Sequence, residues 1–346
     1  MFMGHVWRLL RRLLVVAITL LLVITVAIAI LAFTPILDPS LKPQPAPLTS
    51  YSTAAWHIDK TLADEAALPL LAKGGSIALL TGARTPIAVV IFHGYTNTPD
   101  EFRVLAKAYR DQGYNVWVPR WPHHGLADKM TDDFSLITSE ELRAFADRSI
   151  DIAAGLGEKV MTMGISGGGT LAMWAGIERR EVTRTVMISP LLSPGGFPRW
   201  AVPPLARGMR VSPVDFYRWW APEKAEANVA GMIYPRYSLK GIGALLELRV
   251  WAESRLERET DPVDGSLLLL GNDGDPSIDH EFNEAFVARL VPPERLSLFR
   301  IPASAGLSHD IVCPDPELAS DAQVTEAYRQ LSQALELKLP DPLATR

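Results

Sequence analysis

Polarity divides the chain's first fifty residues. Leu13 to Phe33 is a run of 21 residues without a charge. At 1.5 Å per helical residue such a run is about 30 Å long, the thickness of a bilayer's hydrocarbon core. Arg8, Arg11 and Arg12 precede it, and Asp38 is the first charge after it. Basic flanks stay on the cytoplasmic side. The pattern therefore predicts a basic stub and single-pass transmembrane anchor over residues 1–34, with a cytoplasmic N-terminus and everything later outside. A cleaved signal peptide is the alternative, but its apolar region is normally shorter. Pro35, Pro39, Pro43, Pro45 and Pro47 then make residues 35–50 a stiff, proline-rich tether. At about 3.1 Å per residue it would hold a domain on the order of 40 Å from the membrane.

From Tyr51 short apolar runs alternate with amphipathic stretches. Ser76–Leu80, Ile87–Phe92, Tyr114–Val118, Val160–Met163, Val182–Ile188, Ser266–Leu270 and Leu296–Ile301 read as strands. Asp100–Gln112, Ser139 to about Gly155, Asp279 to about Leu290 and Ala319–Leu337 read as helices. This alternation predicts an α/β fold over residues 51–346, a mostly parallel sheet with helices on both faces. The rhythm breaks between Pro190 and about Arg249. That insertion is dense in aromatics: Phe197, Trp200, Phe216, Tyr217, Trp219, Trp220, Tyr234 and Tyr237. It reads as a helical cap over the ends of the strands, where insertions carry binding function. Arg199, Arg207, Arg210 and Arg218 lie among the aromatics, a composition suited to touching lipid headgroups.

Composition narrows the setting. A hydrophobic content of 48% supports a sizeable core, and a formal net charge of −5 argues against a nucleic-acid partner. The single cysteine, Cys313, allows no internal disulfide, and no asparagine sits in an N-x-[ST] sequon. An exported domain with neither feature leans bacterial, with an inner-membrane anchor and the domain facing the periplasm or cell exterior.

Candidate chemistry centres on Val160–Thr170, V-M-T-M-G-I-S-G-G-G-T. An apolar strand runs into a glycine-rich turn around Ser166 and then into an apolar helix. Strand, sharp turn and helix form the setting of a nucleophile elbow. Gly164 and Gly168 are small where strand and helix pass closely, and the Gly167 N–H would point at a developing oxyanion. A glycine-rich turn can also cradle phosphate, but neither G-x-x-x-x-G-K-[ST] nor G-x-G-x-x-G follows this strand.

A serine nucleophile needs a base. His5 falls on the cytoplasmic side, His57 precedes the sheet and His280 reads as surface. His309 lies in a loop after the last predicted strand, where a base reaches the strand-end serine. The base needs an acid to hold its tautomer. Ser266–Leu270 runs into Gly271-Asn272-Asp273-Gly274-Asp275-Pro276, so Asp275 and Asp273 both qualify. Asp275 is preferred, because Asp273-Gly274 reads as the turn itself. Asp310 is too close in sequence to reach the ring of His309. Val89–Phe92 ends in His93-Gly94-Tyr95, which offers the Tyr95 N–H as a second oxyanion donor and His93 as a structural residue. His123 and His124, with Asp128, invite a metal reading, but adjacent histidines point apart and no H-E-x-x-H or cysteine pair accompanies them. They read as a polar loop near the pocket mouth, and no metal or cofactor is expected.

Together these residues resemble the α/β-hydrolase superfamily over about Tyr51 to Leu337. The resemblance rests on His93-Gly94-Tyr95 after a strand, Gly164-Ile165-Ser166-Gly167-Gly168 at an elbow, Asp275 after a later strand and His309 near the end. The order Ser, Asp, His is that superfamily's order. The block from His93 to Pro99, with Phe102, looks like the oxyanion loop of bacterial carboxylesterases and monoacylglycerol-lipase-like enzymes, which also carry a cap where Pro190–Arg249 lies. The resemblance implies a serine hydrolase that cleaves small-molecule carboxylic esters through an acyl-enzyme. Two departures stand out. Gly271 and Asp275 are separated by three residues rather than two, which keeps Asp273 open as the acid, and an anchor is unusual for small soluble esterases. A lipase or thioesterase on the same triad, and a catalytically silent membrane-tethered binding module, are the competing readings.

Overall fold

Residues 2–33, 39–219, 234–259, 262–315 and 318–345 are described by a computed structural model of the chain. Trp220 of the expected cap and Pro35 of the expected tether lie outside these residues.

Helix α1 spans Phe2–Phe33. Its segment Leu10–Ala27 has a mean hydropathy of 2.3, is wholly unburied, and is long and apolar enough to cross a membrane. Residues 39–50 do not form the expected free spacer. Prolines 43, 45 and 47 alternate with residues whose N–H groups face helix α4 (Ser139–Leu156). Gln44 N–H donates to Asp147 Oδ2 (2.8 Å), Ala46 N–H to Asp151 Oδ1 (3.0 Å) and Leu48 N–H to the Asp151 carbonyl (3.0 Å). Asp147 and Asp151 lie one helical turn apart on the same face. The buried Arg179 guanidinium binds both, at 3.0 and 2.5 Å, and balances their charge. Leu41 is buried beside this strap, and its carbonyl accepts from Trp174 Nε1 at 3.3 Å. The proline-rich stretch is therefore extended, as its composition predicts, but docked.

Helix α2 (Tyr51–Ala66), capped by the Ser50 hydroxyl, follows the strap and buries Ala54 and Ile58. The sheet is seven-stranded, in the order β1-β3-β2-β4-β5-β8-β9. Its strands are β1 (Ile77–Leu79), β2 (Thr85–Phe92), β3 (Asn115–Val118), β4 (Gly157–Ile165), β5 (Val182–Ile188), β8 (Ser266–Asn272) and β9 (Leu296–Ile301). Only the edge strand β1 runs antiparallel. The central strands β2 and β8 are buried along most of their length and are nearly continuous apolar runs, as covered parallel strands require, whereas the edge strand β9 is largely exposed. Helices α3 (Arg103–Asp111), α4, α5 (Gly167–Glu178), α8 (His280–Val287) and α9 (Asp321–Leu335) complete the layers.

Register aligns the strand ends. Phe92 pairs with Gly164, Ile165 with Ile188 and Ile188 with Leu270. The loops after β2, β4 and β8 therefore leave the sheet at one level, the edge where open α/β sheets bind ligands.

The cap begins after β5. It contains helix α6 (Val202–Val211) and a two-stranded hairpin of β6 (Tyr217–Trp219) and β7 (Arg236–Ser238). Its expected end at Arg249 falls inside a single helix, α7 (Leu239–Leu256). Leu245, Leu246, Leu248, Trp251 and Ala252 form one buried stripe on α7, so the helix belongs to the body while its first turn serves the cap.

Candidate active site

Ser166 connects β4 to α5 with φ 53° and ψ −121°. A non-glycine residue at positive φ costs roughly 1–3 kcal/mol and persists only where its surroundings over-determine it. Here they do. The Ser166 N–H donates to the Ile188 carbonyl (3.0 Å), and its carbonyl accepts from Leu191 (3.0 Å) and Thr170 (3.2 Å). The flanking glycines are steric necessities. A Cβ on Gly164 would stand 2.1 Å from the Gly168 carbonyl oxygen, and one on Gly168 would stand 2.0 Å from that of Phe92.

His309 Nδ1 lies 2.5 Å from Asp275 Oδ2. Burial alone would lower the imidazole's pKa, but the hydrogen bond and charge of Asp275 hold it above the ordinary histidine value. Burial would likewise raise the Asp275 carboxyl, and its bond to His309 keeps it below the usual range. The acid loop is built for this contact. Asp275 N–H closes a turn onto the Asn272 carbonyl (2.9 Å), and Asp275 Oδ1 accepts from Ser277 N–H (2.8 Å). Asn272 Nδ2 donates to the carbonyls of Leu307 and Ser308, fastening the loop of Asp275 to the loop of His309. Asp273 points elsewhere, with Oδ1 3.7 Å from Arg300 Nε. The structure thus brings Asp275, not Asp273, to His309. His280, expected at the surface, is half-buried with Nε2 3.2 Å from the Asp275 carbonyl.

The loop after β2 is held from several directions. Trp121 N–H donates to His93 Nε2 (3.2 Å), and His93 Nδ1 meets the Gly94 carbonyl (2.8 Å), a structural role. Burial, followed by the neighbouring His124, pushes His93 well below the ordinary histidine value. His124 is not near a pocket mouth as expected. It is fully buried beneath this loop, stacked on Phe134, with Nε2 2.6 Å from the Tyr95 carbonyl. Burial lowers its pKa to about 4. No metal-binding group of histidine, cysteine or carboxylate residues occurs among the described residues.

Glu101 escaped the sequence reading, because an acid at the start of a helix looks like any other first-turn carboxylate. It is fully buried and accepts the Gly94 N–H. Burial, then the charge of Asp310, pushes its carboxyl well above the usual range. Asn97 Nδ2 donates to Asp310 Oδ1 (3.3 Å). Glu101 Oε2 and Asn97 Oδ1 are both buried without a partner.

Gly94, Tyr95, Thr96, Ser166, His309 and Asp310 line one cavity of about 410 Å³. Leu191, Phe197, Leu205, Met209, Leu239 and Ile242 give it apolar walls. The backbones of Tyr95 and Gly167 adjoin, since a Cβ on Gly167 would lie 3.4 Å from Tyr95 Cβ. Of the cap arginines, Arg199 is engaged by Asp279 and Glu281, and Arg210 by Glu140 and Glu247. Those two charges are balanced within the protein.

A curated relative, the thermostable monoacylglycerol lipase of Bacillus sp. (strain H-257), is 27% identical over 124 residues, 36% of this chain and 45% of the relative. The match thus spans less than half the relative's length. Among solved structures, one from the metagenome-derived lipolytic enzymes LipS and LipT superposes with a TM-score of 0.54 at 19% identity, covering 77% of this chain and 99% of the other. A soluble variant of monoglyceride lipase from Saccharomyces cerevisiae, in complex with a substrate analog, gives 0.52 at 16% identity, covering 76% and 91%. These likenesses show the fold. A sequence profile of the Alpha/beta hydrolase family matches residues 89–322, well over half of the chain. The chain belongs to the alpha/beta hydrolase family.

Proposed function

We propose that the protein is a serine hydrolase of carboxylic esters, with Ser166 as nucleophile, His309 as base and Asp275 as the acid that orients it. The observation that carries this reading is the 2.5 Å contact between His309 and Asp275, with His309 lining the same cavity as the strained Ser166. Asp275 fixes Nδ1 as the protonated nitrogen and leaves Nε2 free to take the Ser166 proton as Oγ attacks the ester carbonyl. The N–H groups of Tyr95 and Gly167 receive the negative charge that develops on the carbonyl oxygen. Collapse of the tetrahedral intermediate breaks the ester C–O bond, and His309 returns its proton to the leaving alcohol. Water, deprotonated by the same nitrogen, then releases the acid and regenerates Ser166. Every step uses protein groups and water.

The lipolytic activities of the curated relative and of the superposed structures support esters as the substrate class. Helix α1 is read as the anchor of a membrane enzyme, with the catalytic domain outside the cytoplasm. A fluorophosphonate probe tests the central claim. It labels the wild-type chain and leaves Ser166→Ala unlabelled. Labelling of that variant, or its full hydrolysis of p-nitrophenyl butyrate, removes Ser166 as nucleophile.

A further inference from the structure

The hairpin of the cap presents two arginines on opposite faces, and they are treated differently. Alternation along a strand puts Tyr217, Trp219 and their cross-strand neighbours Ser238 and Arg236 on one face, and Arg218 with Tyr237 on the other. Arg236 is engaged by the protein. Its guanidinium lies 4.3 Å from the Tyr217 ring centroid, binds Asp132 at 2.8 Å and donates to the Met130 carbonyl.

Arg218 and Tyr237 face the cavity that holds Ser166 and His309, and both line it. Arg218 is exposed at its rim and makes no hydrogen bond or ion pair among the described residues. Among the described residues it is the only lysine or arginine lining the cavity. The one carboxylate lining it among the described residues, Asp310, is bound by Asn97 and makes no ion pair with Arg218. An unpaired guanidinium over an apolar pocket is a bidentate receptor for a carboxylate or phosphate. Its field is stronger there than in open water.

We propose that Arg218, with the Tyr237 hydroxyl beside it, selects carboxylic esters that carry an anionic group, a carboxylate or phosphate monoester, remote from the scissile carbonyl. This rests on Ser166 being the nucleophile of an ester hydrolase. The apolar walls take the carbon chain, and the rim takes the charge.

The test uses the full chain in a non-ionic detergent and two matched pairs of water-soluble esters. One pair is p-nitrophenyl butyrate and mono-p-nitrophenyl glutarate, which places the anion on the acyl side. The other is monobutyrylglycerol and monobutyrylglycerol phosphate, which places it on the alcohol side. In at least one pair Arg218→Gln should lower the anionic-to-neutral ratio of kcat/KM about tenfold, the size of one charge-assisted hydrogen bond. Arg218→Lys should restore part of that ratio, and rising salt should compress it in the wild type. The pair that responds identifies which arm reaches the rim. An unchanged ratio in both pairs overturns the inference while leaving the hydrolase reading intact. So does a variant that loses only binding to anionic vesicles, since that would place the charge on lipid rather than substrate. A wild-type chain inactive on all four esters removes both readings.

Discussion

The catalytic edge of the sheet and the cap above it are held together by different means. At the edge, backbone positions are over-determined. The elbow is fixed by carbonyls about 2 Å from where Cβ atoms would be, and the oxyanion loop is gripped by His93, His124, Glu101 and Asn97. Between the cap and that loop, Tyr234 N–H donates to the Thr96 carbonyl (2.8 Å) and Tyr95 Oη–H to the Ser238 carbonyl (3.2 Å). Its hairpin strands are three residues long, and Trp200 and Phe216 stand exposed. Bond-making needs placement within fractions of an ångström, and the edge supplies it. Under the proposed function, accommodation of different substrates falls to the more lightly held cap.

Substitutions can break this division, starting with the largest effect. On the proposed mechanism Ser166→Ala should lower kcat by about 10⁶-fold. Circular dichroism should show an intact fold, because the alanine relieves no packing. Asp275→Asn should cost about 10⁴-fold through the wrong histidine tautomer, whereas Asp273→Asn should change kcat by about twofold or less, as an exposed surface substitution would. The pH profile sharpens this. Activity needs neutral His309, whose pKa Asp275 raises. In the wild type, the acidic limb of kcat/KM should therefore fall off at a pH above the ordinary histidine value. In Asp275→Asn the raising influence is gone while burial remains, so the limb should move to lower pH. A limb that stays put would remove Asp275 as the orienting acid.

Two further substitutions test the grip on the oxyanion loop and the joint with the cap. Glu101→Ala should cost about 10²-fold in kcat through misplacement of the Gly94–Tyr95 backbone. Glu101→Gln should retain most of that activity, since an amide oxygen can accept the Gly94 N–H as the acid does. Equal losses in both would show that Glu101 acts as a carboxylate. At the joint, a Cβ on Gly241 would lie 1.8 Å from Tyr95 Oη. Gly241→Ala should destabilise the chain by about 1–3 kcal/mol in thermal unfolding. Tyr95→Phe alone should cost about 1 kcal/mol, one neutral hydrogen bond. Combining the two should recover part of the Gly241→Ala loss, because the clash is with the hydroxyl being removed.

Much of this organisation was readable from local sequence. Val182–Ile188 and Leu296–Ile301 are strands over the same residues in expectation and structure, because their short runs rich in Val, Ile, Leu and Phe are bounded by turn residues. Ser166 and His309 were singled out because an elbow and a strand-end loop are short-range patterns. The choice between Asp273 and Asp275 was not decidable that way. It turns on the Asn272 side chain reaching Leu307 and Ser308, contacts 35 and 36 residues away. The buried Glu101, the buried His124 and the docking of the proline strap onto Asp147 and Asp151 were illegible for the same reason. Each depends on a partner distant in sequence, and each residue has an ordinary surface role when read alone.

The docked strap has a consequence for how the enzyme would meet its substrate. Only residues 34–38 lie between the end of α1 and the first docked residue. Even fully extended, that length of chain reaches roughly 20 Å. With α1 seated in a bilayer, the domain would be on a short leash, its cavity confined to a thin layer over the lipid. Turnover would then follow the mole fraction of ester in the adjoining leaflet rather than its bulk concentration. Diluting the substrate with inert lipid would slow the enzyme even when the total amount of ester is unchanged.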